Sequence, residues 1–264
     1  MTELEYRSHP AISRSELWRM HESPEKFKYY MENPPEPTPA MLFGQVVHKL
    51  LLQPETFDED FAIVPNVDRR TKDGKEAYSA FLTASEGKSI VPPDMYETAQ
   101  KMIQRALQEP FVQKLLSGEK EEPFFWTDED TGIDCKCRVD CLTKVGENLI
   151  ILDYKTCTDA SNDAFMRDAL KYGYTLQSAM YSEGVEKNRG QRPLFVFIVQ
   201  EKVEPFSLNI LQAEEAFVRY GYDQFREYMG TYKYCMETGN WYGPLGRDGI
   251  VNTLSLPAWV AKEN

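Results

Sequence analysis

The sequence lacks the long apolar runs that a membrane-spanning helix needs. No stretch approaches the ~18–20 consecutive apolar residues required to cross a bilayer. The first residues, Met1 to Tyr6, contain neither a basic segment nor an apolar core, so we expect no signal peptide. Cysteine is scarce, and its odd count of five argues against a complete disulfide framework and fits a reducing compartment. We therefore expect a cytoplasmic protein that makes no contact with a membrane.

Positive charge is also in short supply, since 30 lysines and arginines face 42 aspartates and glutamates, a formal net charge of -12. Duplex DNA repels an acidic protein, and nonspecific DNA-binding proteins are usually basic. The charge balance therefore argues against a protein that coats DNA. It does not exclude DNA binding by a local basic patch, because only the surface that faces the phosphates must be positive. Metal-binding carboxylates, moreover, count as negative only until their ions bind.

The composition is otherwise that of an ordinary globular protein, with 264 residues, of which 42% are hydrophobic and 27% charged. This length suffices for one large domain or two small ones. No internal repeat, low-complexity segment or clear domain boundary is visible, so we predict one domain over residues 1–264. It would consist of a helical and loop-rich part at 1–118, a core sheet with a central helix at 119–211, and a C-terminal helix and tail at 212–264 that runs through Trp241 and Trp259.

The residues with chemical potential concentrate in two predicted strands, at 132–142 and 149–156, on either side of a turn. Side chains alternate between the two faces of a strand. In the first strand the odd positions are small and apolar, and the even positions are the polar residues Asp134, Lys136, Arg138 and Asp140. A hairpin of these strands brings Asp140, Asp153 and Lys155 to one surface.

Two carboxylates that converge at strand ends form a pocket of hard oxygen ligands, which suits Mg²⁺ or Mn²⁺. Lys155 shares a face with Asp153 and could orient a water molecule there, or offset the charge of a phosphorane-like transition state. The alternative is a cross-strand salt bridge on a solvated sheet face, which is common and contributes little stability. The spacing of these residues does not decide between the two.

An aspartate followed by Asp-x-Lys after apolar residues resembles the catalytic motif of the PD-(D/E)xK nuclease superfamily. The segment Gly44-Gln45-Val46-Val47-His48 resembles the G-x-x-x-H element of its RecB-like branch, and Gln177-Ser178-Ala179-Met180-Tyr181 resembles the Q-x-x-x-Y helix. The surrounding sequence is most similar to the phage and prophage RecE (exonuclease VIII) group, at 41–44, 71–75, 131–132, 153–156 and 159–161. The resemblance covers nearly the whole chain in the family's order.

This resemblance implies an α/β fold, with a PD-(D/E)xK nuclease core, a mixed central β-sheet flanked by helices, and an N-terminal helical cap. It implies a Mg²⁺-dependent, ATP-independent 5′→3′ exodeoxyribonuclease that digests one strand of linear duplex DNA and leaves 3′ overhangs. The expected partners are double-stranded DNA ends, a RecT-type single-strand annealing protein, and copies of the chain itself in a ring of three or four. A ring would let an acidic protein surround DNA with few basic residues.

The resemblance also implies roles for individual residues. Mg²⁺, with Mn²⁺ as a substitute, would be held by His48, Asp140, Asp153 and the backbone carbonyl of Tyr154. Lys155 would position water or stabilise the transition state, while Gln177 and Tyr181 would contact the DNA strand. A single histidine among apolar residues is more often a hydrogen-bonded core residue, which is the alternative for His48.

The most basic cluster of the chain lies at 68–75, in a region (55–95) that we predict to be rich in loops. Its cations are candidates for lining the DNA path, with a plain surface loop as the alternative: Arg69, Arg70, Lys72 and Lys75. Near the N-terminus, Ser13 and Glu16 predict the capping box of a helix, and the resemblance implies that this helix covers the active site. The basic residues that follow fit a solvated face better than a phosphate site: Arg14, Arg19, Lys26 and Lys28.

Further elements are predicted from apolar periodicity. Helices are expected at 40–53, at 95–116 with a break at Pro110, at 162–187 and at 213–237, and strands at 194–199 and 203–211. Glu122, at the start of the first core strand, is either a distal metal-shell acid or an exposed strand-end residue.

Two rival functions remain. One is a Cas4-like or other RecB-like nuclease that acts on single-stranded DNA, the Cas4 group carrying a four-cysteine iron–sulfur cluster. The chain has no C-x-x-C, and we interpret its cysteines as small core residues: Cys135, Cys137, Cys141, Cys157 and Cys235. The other rival is a DNA-binding module with a vestigial site. The intact set of Asp140, Asp153 and Lys155 argues against it.

Overall fold

The computed structural model describes residues 1, 3–249 and 253–255, so Trp259 lies outside the described residues. The helices are α1 Glu3–Ser8, α2 Arg14–Leu17, α3 Pro24–Glu32, α4 Pro39–Leu52, α5 Phe57–Asp60, α6 Lys72–Ala84, α7 Pro93–Ala106, α8 Pro110–Leu115, α9 Asn162–Tyr172, α10 Tyr174–Arg189 and α11 Glu215–Thr238. The strands are β1 Ile12–Ser13, β2 Phe61–Ile63, β3 Ser89–Val91, β4 Glu119–Thr127, β5 Asp134–Val145, β6 Asn148–Cys157, β7 Leu194–Glu201 and β8 Leu208–Gln212.

The main sheet is mixed and has the order β1-β5-β6-β7-β8, with β4 also paired to β5. β4 runs antiparallel to β5 along most of its length, so β1 and β6 must share the opposite edge of β5. β1 is parallel to β5 at Cys135 and Lys136, whereas β6 is antiparallel to β5 from Cys141 onward. The stretch of β5 between these two pairings, residues 137–140, faces a gap in the sheet, which we call the fork.

Helices cover both faces of this sheet and form two hydrophobic cores. In β6 and β7 successive side chains alternate between the cores, so that both strands are buried on both faces. The first core is closed by α10 and α11, and the second by α4, α7 and α8. This confirms the predicted α/β architecture with a mixed sheet flanked by helices.

The polar and apolar alternation predicted for β5 holds as far as Val139. Cys135, Cys137 and Val139 lie in the first core as expected, but Cys141 lies in the second and Leu142 returns to the first. The prediction that the odd positions share one face is therefore wrong at Cys141. The ladder between β4 and β5 omits the pair that includes Asp140.

The helix predicted at 162–187 is two helices in the structure. Gly173 ends α9 with φ of 70°, a left-handed conformation that favours glycine, and α10 starts at the next residue. A Cβ at this position would also lie 2.4 Å from the ring of Trp18. The break therefore fixes the α9–α10 turn against the N-terminal segment.

The region predicted to be loop-rich contains regular structure, because β2 and β3 pair in parallel and α6 lies between them. Gly74 is the only residue of α6 that is buried. Most side chains of α6 are exposed, so few of its residues contribute to a hydrophobic core. In the described part of the chain, no helix is long and apolar enough to cross a membrane.

Candidate active site

The fork is where the predicted site residues meet. Beyond Cys141 and Leu152, β5 and β6 no longer pair, and the carboxylate of Asp140 takes over a bond to the β6 backbone. Its Oδ2 accepts a hydrogen bond of 2.7 Å from the N–H of Tyr154. The separation of the strands therefore exposes main-chain groups of β6 to side chains of the site.

His48 reaches the fork from α4, in the helical layer of the second core. This helix starts after Thr38, whose hydroxyl accepts a hydrogen bond from the N–H of Met41, and it ends before Pro54. His48 Nε2 donates to the carbonyl oxygen of Tyr154 at 2.7 Å, and Nδ1 lies 3.4 Å from Asp140 Oδ2. Among the described residues, the histidine is thus a hydrogen-bonded residue of the site rather than of the core.

Glu121 is a site residue that the sequence did not reveal. It lies opposite Asp140 in the register of β4 and β5, with φ of 53° in the left-handed region that non-glycine residues rarely adopt. Its carboxylate is 2.8 Å from Arg138 Nε. Glu122, the acid considered from the sequence, lies instead 3.6 Å from Arg189. Knowledge of the β4–β5 register would have selected Glu121, since opposed residues share a face.

The donor atoms at the fork fit a divalent cation. His48, Glu121 and Asp140 each offer one ligand atom, and these three atoms lie within 4.8 Å of one another. The Tyr154 carbonyl oxygen adjoins His48. Among the described residues this is the one such group of potential metal ligands. An imidazole nitrogen with carboxylate and carbonyl oxygens is a donor set that can hold a divalent metal ion. Compared with the predicted ligand set, this group contains Glu121, which was not predicted, and it does not contain Asp153.

Asp153 and Lys155 form a buried ion pair next to this group. Asp153 is 1% exposed, and its Oδ2 lies 2.5 Å from Lys155 Nζ but accepts no hydrogen bond of good geometry from the described residues. Burial raises the pKa of Asp153 above its usual range, against the opposing effect of Lys155. Burial alone would lower the pKa of Lys155, but the Asp153 carboxylate outweighs it and raises that pKa. An incompletely satisfied buried carboxylate oxygen is a further feature of a cation site.

Gln177 holds Asp153 from the other helical layer, that of α10. Its Nε2 donates to Asp153 Oδ1 at 2.5 Å, and its Oε1 accepts from Arg14 Nη2 at 2.8 Å. Gln177 is 4% exposed. Since both ends of its amide are engaged within the protein, its structural role is to orient Asp153. The predicted DNA contact of Gln177 stays a prediction, which this burial disfavours.

Tyr181, the partner of Gln177 in the Q-x-x-x-Y pattern, packs against the first core with its ring 6.4 Å from that of Phe195. Burial raises the pKa of its hydroxyl well above the usual range. Its predicted contact with DNA also stays a prediction. Arg14, by contrast, was predicted to lie on a solvated face, but it lies at the site, where it donates to Gln177.

The predicted basic cluster is held by local contacts at the start of α6. Arg70 forms two hydrogen bonds of 2.9 Å with the carboxylate of Asp68, and Lys72 lies 3.8 Å from Glu76. Arg69 lies over the ring of Tyr78. These side chains are exposed, as a DNA contact requires, but two of the four cations are already paired with an acid. Their role in lining a DNA path stays a prediction.

Comparison with known proteins gives a fold and a family. A crystal structure of a candidate exonuclease from Eubacterium rectale is similar over 100% of this chain and 98% of that chain, with a TM-score of 0.62 and 15% identity. An identity this low supports the fold alone. The structure of SSO0001 matches with a TM-score of 0.31 and 14% identity, over 70% of this chain and 86% of that one, and it carries no argument. No curated protein matches the chain.

A family described as a PDDEXK-like domain of unknown function (DUF3799) matches residues 13–247. The match includes every residue described above at the candidate site, from Arg14 to Gln177. The sheet, the two helical layers and the carboxylates at the fork are what this description leads one to expect. The chain belongs to this PDDEXK-like family and has the fold of the PD-(D/E)xK nucleases.

Proposed function

We propose that the chain is a divalent-metal-dependent nuclease that hydrolyses phosphodiester bonds of DNA at the fork. The observation that carries this proposal is the gathering of Asp140, Asp153 and Lys155 around an open sheet gap, with His48 and Glu121 beside them. A solvated salt bridge on a sheet face, the alternative considered from the sequence, does not require a buried carboxylate or a histidine from another layer.

In such a reaction, the side chains at the fork would have different roles. His48, Glu121, Asp140, Asp153 and the Tyr154 carbonyl would hold the ion. A bound Mg²⁺ would act as a Lewis acid on the phosphate and lower the pKa of a water molecule. Lys155, whose pKa is raised by Asp153, stays protonated and can stabilise negative charge on the phosphate or orient the attacking water.

Within this class we propose a 5′→3′ exonuclease that needs no ATP and leaves 3′ overhangs on linear duplex DNA. The resemblance to the RecE group supports this finer activity, and the site chemistry is compatible with it. Mg²⁺ is the preferred ion, and Mn²⁺ can replace it because both accept oxygen and imidazole ligands.

The test is digestion of a linear duplex that is labelled separately at each 5′ and each 3′ end, with Mg²⁺ and without ATP. Early release of 5′ label as nucleotides, with the 3′ label retained on long strands, is the expected result. A closed circular duplex serves as the control and should persist. Release of 3′ label first would overturn the polarity, and cutting of the circle would replace the exonuclease by an endonuclease.

We further propose a homo-oligomeric ring of three or four subunits and a RecT-type annealing protein as partner, both on the resemblance. A ring would reconcile a net charge of -12 with a DNA path, because each subunit needs to supply only a few cations. The five buried, free cysteines suit a cytoplasmic, reducing location. Light scattering coupled to size exclusion decides the assembly, and a monomer at micromolar concentration that digests kilobases per binding event would exclude the ring.

A further inference from the structure

The α9–α10 turn forms an aromatic and basic surface beside the ion pair of Asp153 and Lys155. The ring of Tyr174 lies 4.7 Å from Lys155 Nζ, and the ring of Tyr172 lies 6.0 Å from that of Tyr174. Tyr172 is 44% exposed. The two rings therefore form a row that extends from Lys155 to the solvent-exposed side chain of Tyr172. We call the set of Arg14, Lys171, Tyr172 and Tyr174 the site rim.

A hydrogen bond and the packing of Trp18 hold the backbone of the site rim in place. Arg14 Nη1 donates to the carbonyl of Tyr172 at 3.3 Å, while its Nη2 donates to Gln177. Gly173, between the two tyrosines, has a left-handed φ and is pressed against the Trp18 ring. Trp18 in turn stacks on His21 with ring centroids 4.0 Å apart. A surface that is ordered before its ligand arrives loses less entropy on binding.

The two cations of the site rim are not neutralised by acids. In the described part of the chain, neither Arg14 nor Lys171 has a carboxylate within salt-bridge distance, whereas cations such as Arg70, Arg189 and Arg226 are paired with acids. A guanidinium has five N–H donors, and the contacts of Arg14 occupy two of them. In a protein with a net charge of -12, available positive charge next to a carboxylate site is suited to an anion.

We propose that the site rim holds an unpaired nucleotide of the strand that is being cut, next to the scissile phosphate. Tyr172 stacks on the base, and Arg14, with Lys171, binds the adjoining phosphate. Aromatic stacking holds bases without regard to sequence, and it requires that the base be out of the duplex. This inference rests on the proposed nuclease function and narrows its substrate to a strand end with at least one nucleotide unpaired.

The test compares Tyr172→Ala and Tyr172→Phe on two sets of substrates, one with normal terminal nucleotides and one with an abasic nucleotide at each of the first three positions in turn. Tyr172→Ala should lower kcat/KM by roughly tenfold on the normal end and hardly at all when the abasic nucleotide occupies the stacked position. Tyr172→Phe should behave like the wild type. Such a cycle isolates the contact between ring and base from any general loss of structure.

Met166→Ala is the matched control, since Met166 is exposed on the same helix and lies about 120° around its axis from Tyr172. It should leave both substrates unaffected. If Tyr172→Ala matches the wild type on normal ends, or loses the same factor at every abasic position, the inference is wrong.

A binding measurement separates this inference from the proposed function. A single-stranded oligonucleotide with terminal 2-aminopurine is added to Asp140→Asn protein, and stacking on Tyr172 should quench its fluorescence. Introducing Tyr172→Ala into the Asp140→Asn protein should abolish the quenching, whereas introducing Tyr172→Phe should retain it. If wild-type protein hydrolyses no DNA while this quenching occurs, the nuclease proposal fails and the inference of a nucleotide-binding rim stands. Unchanged fluorescence with Asp140→Asn alone overturns the inference.

Discussion

The carboxylate of Asp140 and the backbone N–H of Tyr154 are joined by a hydrogen bond of 2.7 Å where β5 and β6 stop pairing. The side chain thus takes the place that a main-chain carbonyl of β5 occupies elsewhere in the ladder. Asp153 and Lys155 flank Tyr154 in the same strand. The hydrogen bond from Tyr154 to Asp140 therefore fixes the position of Asp140 relative to both residues.

Asp140→Asn should reduce turnover by roughly a hundredfold or more, because the amide can still accept from Tyr154 but no longer supplies negative charge. Asp134→Asn is the matched control, since Asp134 lies on the same strand, exposed and hydrogen-bonded to Thr127. Nucleotide release from linear duplex DNA gives the rates, and a thermal melt confirms that both variants fold. Wild-type turnover by Asp140→Asn would remove Asp140 from the site.

Glu121→Gln and Glu122→Gln form a pair of neighbours with opposite expectations. Glu121 belongs to the group that can hold a metal, so its variant should bind Mn²⁺ more weakly in calorimetric titration and turn over more slowly. Glu122 lies beside Arg189, and its variant should behave like the wild type, because exposed ion pairs contribute little. The reverse order of effects would restore Glu122 as the ligand.

Lys155→Ala should keep most of the metal affinity but lower turnover by roughly a hundredfold or more. Lys155→Arg should rescue poorly, since a planar guanidinium does not replace a compact ammonium. Lys144→Ala, on the adjacent strand and exposed, is the control. The metal affinity, from titration, and the turnover, from initial rates, are measured on the same preparation. Normal cleavage by Lys155→Ala would reduce the lysine to an ion-pair partner of Asp153.

His48→Ala should impair activity more in Mg²⁺ than in Mn²⁺. The variant loses one ligand and the hydrogen bond to the Tyr154 carbonyl, and Mn²⁺ tolerates an altered ligand set better than Mg²⁺. Rates at saturating concentrations of each ion give the comparison. An equal loss in both ions would show that His48 only orients the carbonyl.

Neutralising Arg69, Arg70, Lys72 and Lys75 to glutamine should flatten the salt dependence of DNA binding and shorten processive runs, because fewer counterions are released. Since Arg70 and Lys72 already face acids, most of the change should come from the other two cations. As the control, Arg219→Gln with Lys233→Gln, on α11, removes two charges and is compared with Arg69→Gln with Lys75→Gln, which removes the same number. Identical salt slopes for both sets of variants would exclude a DNA path along α6.

The sequence was sufficient to identify Asp140, Asp153 and Lys155 as neighbours, because a short turn joins their two strands and places the strands side by side, although the alternation of β5 does not continue through Cys141. It was not sufficient for Glu121, whose place depends on the β4–β5 register and on a left-handed backbone conformation. Arg14 was missed for a different reason: it meets Gln177 across 163 positions of the chain, and nothing local marks that contact. The break at Gly173 likewise depends on Trp18, a tertiary neighbour.

The fork connects both helical layers, since the candidate ligand His48 belongs to α4, and Gln177, which donates to the candidate ligand Asp153, belongs to α10. A cation bound there would bind only the folded state in which both layers are packed against the sheet. By mass action, it would raise the free energy of unfolding by RT ln(1 + [M]/Kd) and would do so for both layers together. Hydrogen exchange in α4 and in α10 should therefore slow in parallel as Mg²⁺ is added, although the two helices pack into different cores.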